Sequence, residues 1–94
     1  MLKIEEGKDF LAYVSTHGCL VCGQPNPDSD HLETVGMGGD RDKNLWQDFT
    51  VVPLCRNHHT ERHVNTKKFQ ERYRINLWKE NNKLLIRWLR YERK

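Results

Sequence analysis

The segment Pro53-Leu-Cys-Arg-Asn-His-His-Thr-Glu-Arg-His63 carries four metal-binding side chains, Cys55, His58, His59 and His63. It reads as a β-strand running into a helix. On that helix Cys55 and His58 lie three apart on the first turn and His59 and His63 lie four apart, so the two pairs take neighbouring but different faces. One segment can therefore serve two metal sites.

The chain has 94 residues, a size at which one hydrophobic core gives marginal stability and a metal is a common supplement. Hydrophobic residues make up 36% and charged residues 31%. That is polar but not disordered, because Trp46, Trp78, Trp88 and several Leu, Ile and Phe remain to build a core. The expectation is a single domain, residues 1–94, that folds with the help of its ions. The net charge of +3 hides an asymmetry: residues 1–40 carry 2 basic and 7 acidic side chains, and residues 41–94 carry 14 and 6. A basic second half suits a polyanion such as nucleic acid, although solvated helix surface has the same composition. Three cysteines cannot pair off completely, and Cys-x-x-Cys beside a His-rich segment is a metal pattern suited to a reducing compartment. No apolar run has transmembrane length, and Met1 to Phe10 lacks the apolar stretch of a signal peptide. The sequence therefore reads as a soluble, cytoplasmic protein with no membrane partner.

Asp9 is positioned to cap a helix through about Thr16, with Phe10, Leu11 and Val14 as its apolar stripe and His17 and Gly18 at its end. Cys19-Leu-Val-Cys22-Gly23 then reads as a zinc knuckle, with two thiolates on a tight turn and Gly23 supplying backbone freedom. A redox Cys-x-x-Cys is the competitor. It expects the pair at a helix start, whereas Gly23, Pro25 and Pro27 break any helix here. Ser29 to Leu32 reads as a short strand, in which Asp30 and His31 point to opposite faces unless the strand ends there. Glu33 to Trp46, with Gly36, Gly38 and Gly39, reads as a long loop. Phe49 to Leu54 is the second strand, Pro53 suiting an edge or a strand end. Beyond the ligand helix, which ends near His63 to Asn65, Thr66 to Tyr73 reads as a helix capped by Thr66. Lys79 to Tyr91 reads as another, burying Leu84, Leu85, Trp88 and Leu89 and presenting a basic row of Lys83, Arg87, Arg90 and Lys94. The row is either a phosphate-tracking surface or plain solvation.

Sorted by chemistry, Cys19, Cys22, Cys55 and His58 form a closed Cys3His set, as a structural zinc requires. Asp30, His59 and His63 remain, an incomplete set with positions free for water and a phosphate oxygen, as a hydrolytic metal requires. His31 is then available as a base near neutral pH. A single C2H2 finger using Cys19, Cys22, His59 and His63 fails on spacing, since Cys22 and His59 are far more than about 12–15 residues apart. The blander alternative leaves His59 and His63 as helix-surface residues.

Asp30-His31, the strand before Cys55 and the run Cys55-x-x-His58-His59-x-x-x-His63 together resemble the HNH endonucleases, the ββα-metal or His-Me finger class. Gly36-Met-Gly-Gly39 and Pro53-Leu-Cys resemble the small phage and prophage members most. The resemblance covers about Cys19 to His63. It implies an α+β fold: a zinc-stapled ββα-metal, treble-clef-like core over about residues 19–64, an N-terminal helix, and two C-terminal helices over about residues 66–92. It also implies a metal-dependent DNA endonuclease acting on duplex DNA, with His31 as general base and Asp30, His59 and His63 holding one divalent cation (Mg2+, Mn2+, Ni2+ or Zn2+). Cys19, Cys22, Cys55 and His58 would bind the structural zinc. Arg41 is the candidate phosphate clamp, with Arg62 second. Thr50 stands where many members have the middle Asn, and Asp48 and Asn44 are the alternatives for that positioning role. The competing expectation is a catalytically silent treble-clef zinc module that binds DNA or serves as an adaptor.

Overall fold

Two short strands divide the protein. In the computed structural model, which describes residues 2–33 and 42–93 and leaves aside the side chains of 42–45, β1 (Asp28–His31) pairs antiparallel with β2 (Val51–Leu54). Asp28 lies opposite Leu54, Ser29 opposite Pro53, Asp30 opposite Val52 and His31 opposite Val51. Side chains alternate along a strand, and directly paired residues share a face. One face thus carries Asp28, Asp30, Val52 and Leu54, and the other carries His31 and Val51.

Each face has its own core. Val51 packs with Phe10, Val14, Phe49, Leu84 and Trp88. Val52 and Leu54 pack with Cys19, Cys55, Phe69 and Leu77. All four residues of β2 are buried, Pro53 included. The Pro53 carbonyl accepts from the Leu20 amide at 3.0 Å, which ties the Cys-x-x-Cys turn to the sheet.

The first core holds α1 (Gly7–Ser15), which follows a 3-10 turn at Ile4–Glu6. Asp9 is therefore inside the first turn and not the cap, a position where its charge still favours the positive end of the helix. Gly7, at the start of the helix, is buried against Asp48: a Cβ there would lie 3.0 Å from the Asp48 Cβ, so a larger residue would push Asp48 aside by a few tenths of an ångström. From Asp42 to Thr50 the chain winds in 3-10 turns, and the second strand starts at Val51 instead of Phe49. The cause is tertiary. The Phe49 ring packs against those of Phe10 and Trp88, at centroid distances of 6.1 Å from each, and these two rings also meet each other at 5.3 Å. Residues 34–41, with Gly36, Gly38, Gly39 and Arg41, lie outside the described residues.

After β2 come α2 (Arg56–Val64), α3 (Thr66–Tyr73) and α4 (Leu77–Arg87). Asn65, not Thr66, caps α3, its side chain accepting from the Lys68 amide at 3.0 Å. The Thr66 hydroxyl instead bonds back to the Arg62 carbonyl at 3.2 Å. Asn76 caps α4 through the Lys79 amide, so that helix begins two residues before Lys79. Buried Asn81 donates to the Phe49 and Val51 carbonyls, both at 2.9 Å, and locks α4 to the start of β2. The α-helix then widens into a π turn at Trp88–Glu92. Leu84 and Trp88 are buried as expected, whereas Leu85 is half-buried and Leu89 is 37% exposed. Lys83, Arg87 and Arg90 are exposed, and Lys94 lies outside the described residues.

Among the described residues the result is an α+β arrangement of four α-helices and a two-stranded antiparallel sheet. Among the described residues no helix is long and apolar enough to cross a membrane.

Candidate functional site

The Cys-x-x-Cys turn precedes β1 and faces the start of α2. Its shape comes from the Gly23 amide bonding to the Cys19 carbonyl at 2.8 Å and the Cys19 amide to the Gln24 carbonyl at 3.0 Å. Gly23 has φ 76°, the left-handed region where glycine is at ease. Gly18 is needed for a different reason, since a Cβ there would meet the Gly23 carbonyl oxygen at 2.6 Å. Cys55 occupies the N-cap of α2, and His58 lies in its first turn. Cys22 Sγ is 3.9 Å from Cys55 Sγ, and His58 Nδ1 is 3.6 Å from Cys19 Sγ and 3.1 Å from Cys55 Sγ. Ligands about 2.0–2.3 Å from one tetrahedral ion lie roughly 3.3–3.8 Å apart, so these separations are those of a single-ion cage. The cluster Cys19, Cys22, Cys55 and His58 can hold a metal ion such as zinc.

The electrostatics fit that use. Burial opposes ionisation of Cys19, but the backbone at Cys55, Cys22 and Val21 directs hydrogen bonds at its sulfur and brings the thiol from 9.0 down to about 6. At Cys22 the Gln24 backbone favours the thiolate, yet burial and the neighbouring sulfurs of Cys19 and Cys55 push the thiol up. A second negative sulfur beside the first is unfavourable until a cation lies between them. The Tyr73 ring meets the His58 ring edge-on at 5.3 Å, and its hydroxyl donates to Glu61 Oε1 at 2.7 Å, so α3 braces the ligand helix.

The second cluster forms on the sheet face that carries Asp30. Asp30 is fully buried, and Oδ1 lies 3.3 Å from His59 Nε2 and 3.4 Å from His63 Nε2. The two Nε2 atoms are 2.9 Å apart. Asp30, His59 and His63 thus bring three ligand atoms together within 4.8 Å. His58 and His59, adjacent in sequence, belong to different clusters because successive helix residues point about 100° apart.

Asp28, which sequence reading passed over, completes the second cluster. It shares a face with Asp30, two residues on, and its Oδ2 is 3.1 Å from both His59 Nδ1 and Arg56 Nε. A carboxylate at Nδ1 accepts a hydrogen bond from the ring N–H there, which leaves the Nε2 lone pair directed at His63 and the Asp30 side of the cluster. Two imidazole nitrogens 2.9 Å apart need a proton or a cation between them. Period-two spacing with Asp30 was the signal for Asp28, legible once the strand register is known. If this cluster takes a divalent ion, Asp28→Asn is expected to weaken its binding by about 10–100-fold while leaving an ion at the Cys3His cluster in place. Mn2+ titration of zinc-loaded protein checks this, and unchanged Mn2+ affinity would remove Asp28 from the site.

His31 is the last residue of β1, so it faces away from Asp30, with Nε2 2.9 Å from Asp48 Oδ1. Its carbonyl stays on the other side, accepting from Arg62 Nη2 at 3.1 Å. Thr50 does not touch the imidazole; its hydroxyl accepts from the Glu33 amide at 3.2 Å and donates to the Gln47 carbonyl at 2.6 Å, which fixes the backbone just after His31. The side chain on His31 is that of Asp48. Arg41 lies outside the described residues. Arg62 is no free clamp: it is buried, its Nε donating to Asp30 Oδ2 at 2.7 Å and its Nη2 to Asp30 Oδ1. A cavity of about 720 Å³ lined by Glu6, Asp9, Tyr13, Trp88 and Arg93 among others includes no ligand of either cluster.

Fold and site together define a small α+β domain with a Cys/His cluster fit to bind a metal ion. The chain belongs to the DUF968 family, described as proteins of unknown function, whose pattern matches residues 2–86. It is also similar to the uncharacterized protein YdfU of Escherichia coli (strain K12), 41% identical over 64 residues. That match covers 68% of this chain and 18% of YdfU, so the chain spans only a small part of that relative's length. No solved structure matches the chain.

Proposed function

We propose that the protein is a metal-dependent DNA endonuclease of the HNH, ββα-metal class, with one structural zinc and one divalent ion at Asp30, His59 and His63. The observation that carries this reading is the convergence of those three ligand atoms, beside a separate Cys3His cluster that already uses every cysteine. A closed thiolate-rich cage serves structure, and a carboxylate with two imidazoles leaves positions for water and a phosphate oxygen. When bound, a divalent ion in that second site would polarise the scissile phosphate and stabilise the leaving 3'-oxygen.

The chain's own residues supply the rest. With Nε2 of His31 donating to Asp48 Oδ1, Nδ1 is the atom left to accept the proton of an attacking water, and Asp48 holds the ring in that tautomer. Thr50 steadies the backbone that follows. Asp28 orients His59. The basic second half of the chain suits duplex DNA as the partner. Supercoiled plasmid incubated with zinc-loaded protein and added Mg2+, Mn2+, Ni2+ or Zn2+ is expected to be nicked or linearised. Plasmid that stays supercoiled with every metal refutes the reading.

A second reading has its own observation. Arg62 already neutralises buried Asp30, which suits a zinc-stapled module that binds DNA or another protein without catalysis. Metal counting separates the two: one zinc per chain and no second ion with Asp30, His59 and His63 intact favours the binder.

A further inference from the structure

We propose that Arg62 is a built-in counter-cation that competes with a divalent metal for Asp30 and thereby sets the occupancy of the second cluster. The inference rests on the reading that Asp30, His59 and His63 form a metal centre. Asp30 is 0% exposed and Arg62 only 8% exposed, so the pair is shielded from water, where charges act on one another most strongly. The guanidinium grips both carboxylate oxygens, Nε on Oδ2 at 2.7 Å and Nη2 on Oδ1. Oδ1 is the same oxygen that faces His59 and His63. Nη2 also reaches to 3.4 Å from His63 Nε2 and donates to the His31 carbonyl at 3.1 Å. One guanidinium nitrogen therefore stands among the atoms that an ion would bond.

The arrangement makes Arg62 a competitor and not merely a structural partner. Nε holds Oδ2, whereas the imidazoles meet Oδ1, so the Nε bond can persist when an ion takes Oδ1. Nη2 cannot keep its place, because its positive charge and its N–H bonds would point at the cation. With Arg62 on Asp30, an incoming ion meets a positive charge already at Oδ1, the oxygen it would bond, so the cluster binds an ion more weakly and exchanges it more readily than it would without Arg62. The Nη1 contact to the Thr66 hydroxyl at 3.4 Å offers the side chain a second anchor at the entrance of α3.

The test is Mn2+ binding to zinc-loaded protein by calorimetry, with no DNA present. Arg62→Gln removes the charge but keeps an amide donor for Asp30, and it should tighten Mn2+ binding by about tenfold or more. Arg62→Lys keeps the charge and should bind Mn2+ within a few-fold of the native protein. A merely structural Arg62 predicts weaker binding in both variants, and equal affinity in native protein and Arg62→Gln overturns the inference alone. Failure of Mn2+ to bind either protein overturns it together with the metal-centre reading. Should Arg62→Gln not fold, the native protein decides by NMR. On saturation with Zn2+ the Arg62 Nη2 protons should shift and lose protection while the Nε proton persists, and an unmoved Nη2 signal at saturation overturns the proposal.

Discussion

Stripping the Cys3His ion, by a strong chelator or by Cys19→Ser, is expected to unfold the domain. The cluster is the point where the turn before β1, the end of β2 and the start of α2 meet, since Cys19 and Cys55 are themselves members of the second core with Val52, Leu54, Phe69 and Leu77. Without the ion, the sulfurs of Cys22 and Cys55, 3.9 Å apart, have no cation to bridge them, and the turn keeps its backbone bonds and the Leu20 to Pro53 link. Structural zinc binding is worth about 10–16 kcal/mol in small domains. The whole stability of a small domain is about 5–15 kcal/mol, so the ion-free chain has little margin. Far-UV circular dichroism and thermal melting read the outcome: a variant that keeps a cooperative melt within a few degrees of the native protein would show that the cluster is not structural. Cys19→Ser is the cleaner arm, because a chelator also removes any ion at Asp30, His59 and His63.

The second large effect is expected at His31. If the protein cleaves DNA as proposed, His31→Ala should lower the rate by about 10²–10⁴-fold, the usual contribution of a positioned general base. The fold should survive, because His31 ends β1 with its side chain 29% exposed and its main bond is to an equally accessible Asp48. Both ions should stay bound, since His31 supplies a ligand to neither cluster. Asp48→Asn should fall between the two, because Nδ1 remains a base and only its tautomer and orientation are loosened. Single-turnover cleavage with metal content measured on the same samples decides the matter. A His31→Ala protein that cuts at the native rate would place the base elsewhere.

The ligand sets were legible in the sequence because they are written in local spacing. Three residues from Cys55 to His58 and four from His59 to His63 need only a helix to be sorted onto two faces, and a helix follows a capped, polar run without long-range help. The α+β class was an expectation of the family resemblance, and the helices and two-stranded sheet among the described residues agree with it. Local spacing said less where packing overrode it. Phe49 leaves the strand as its ring joins those of Phe10 and Trp88 in a common core, and Leu89, on the π turn that follows α4, is exposed.

What only the tertiary structure decided is the surroundings of the ligands. Arg62 bonds to Asp30 across 32 residues of sequence, Asp28 to His59 across 31, Asn81 to the Phe49 carbonyl across 32 and His31 to Asp48 across 17. A hydrogen bond carries no mark of its partner in the chain that makes it: any Asp can face any Arg until strand register and helix packing bring them together. The side chains that can bind an ion are thus determined by residue type and helical period. How tightly they bind it, and which nitrogen of each ring is turned toward it, depends on contacts that exist only once β1 lies against α2.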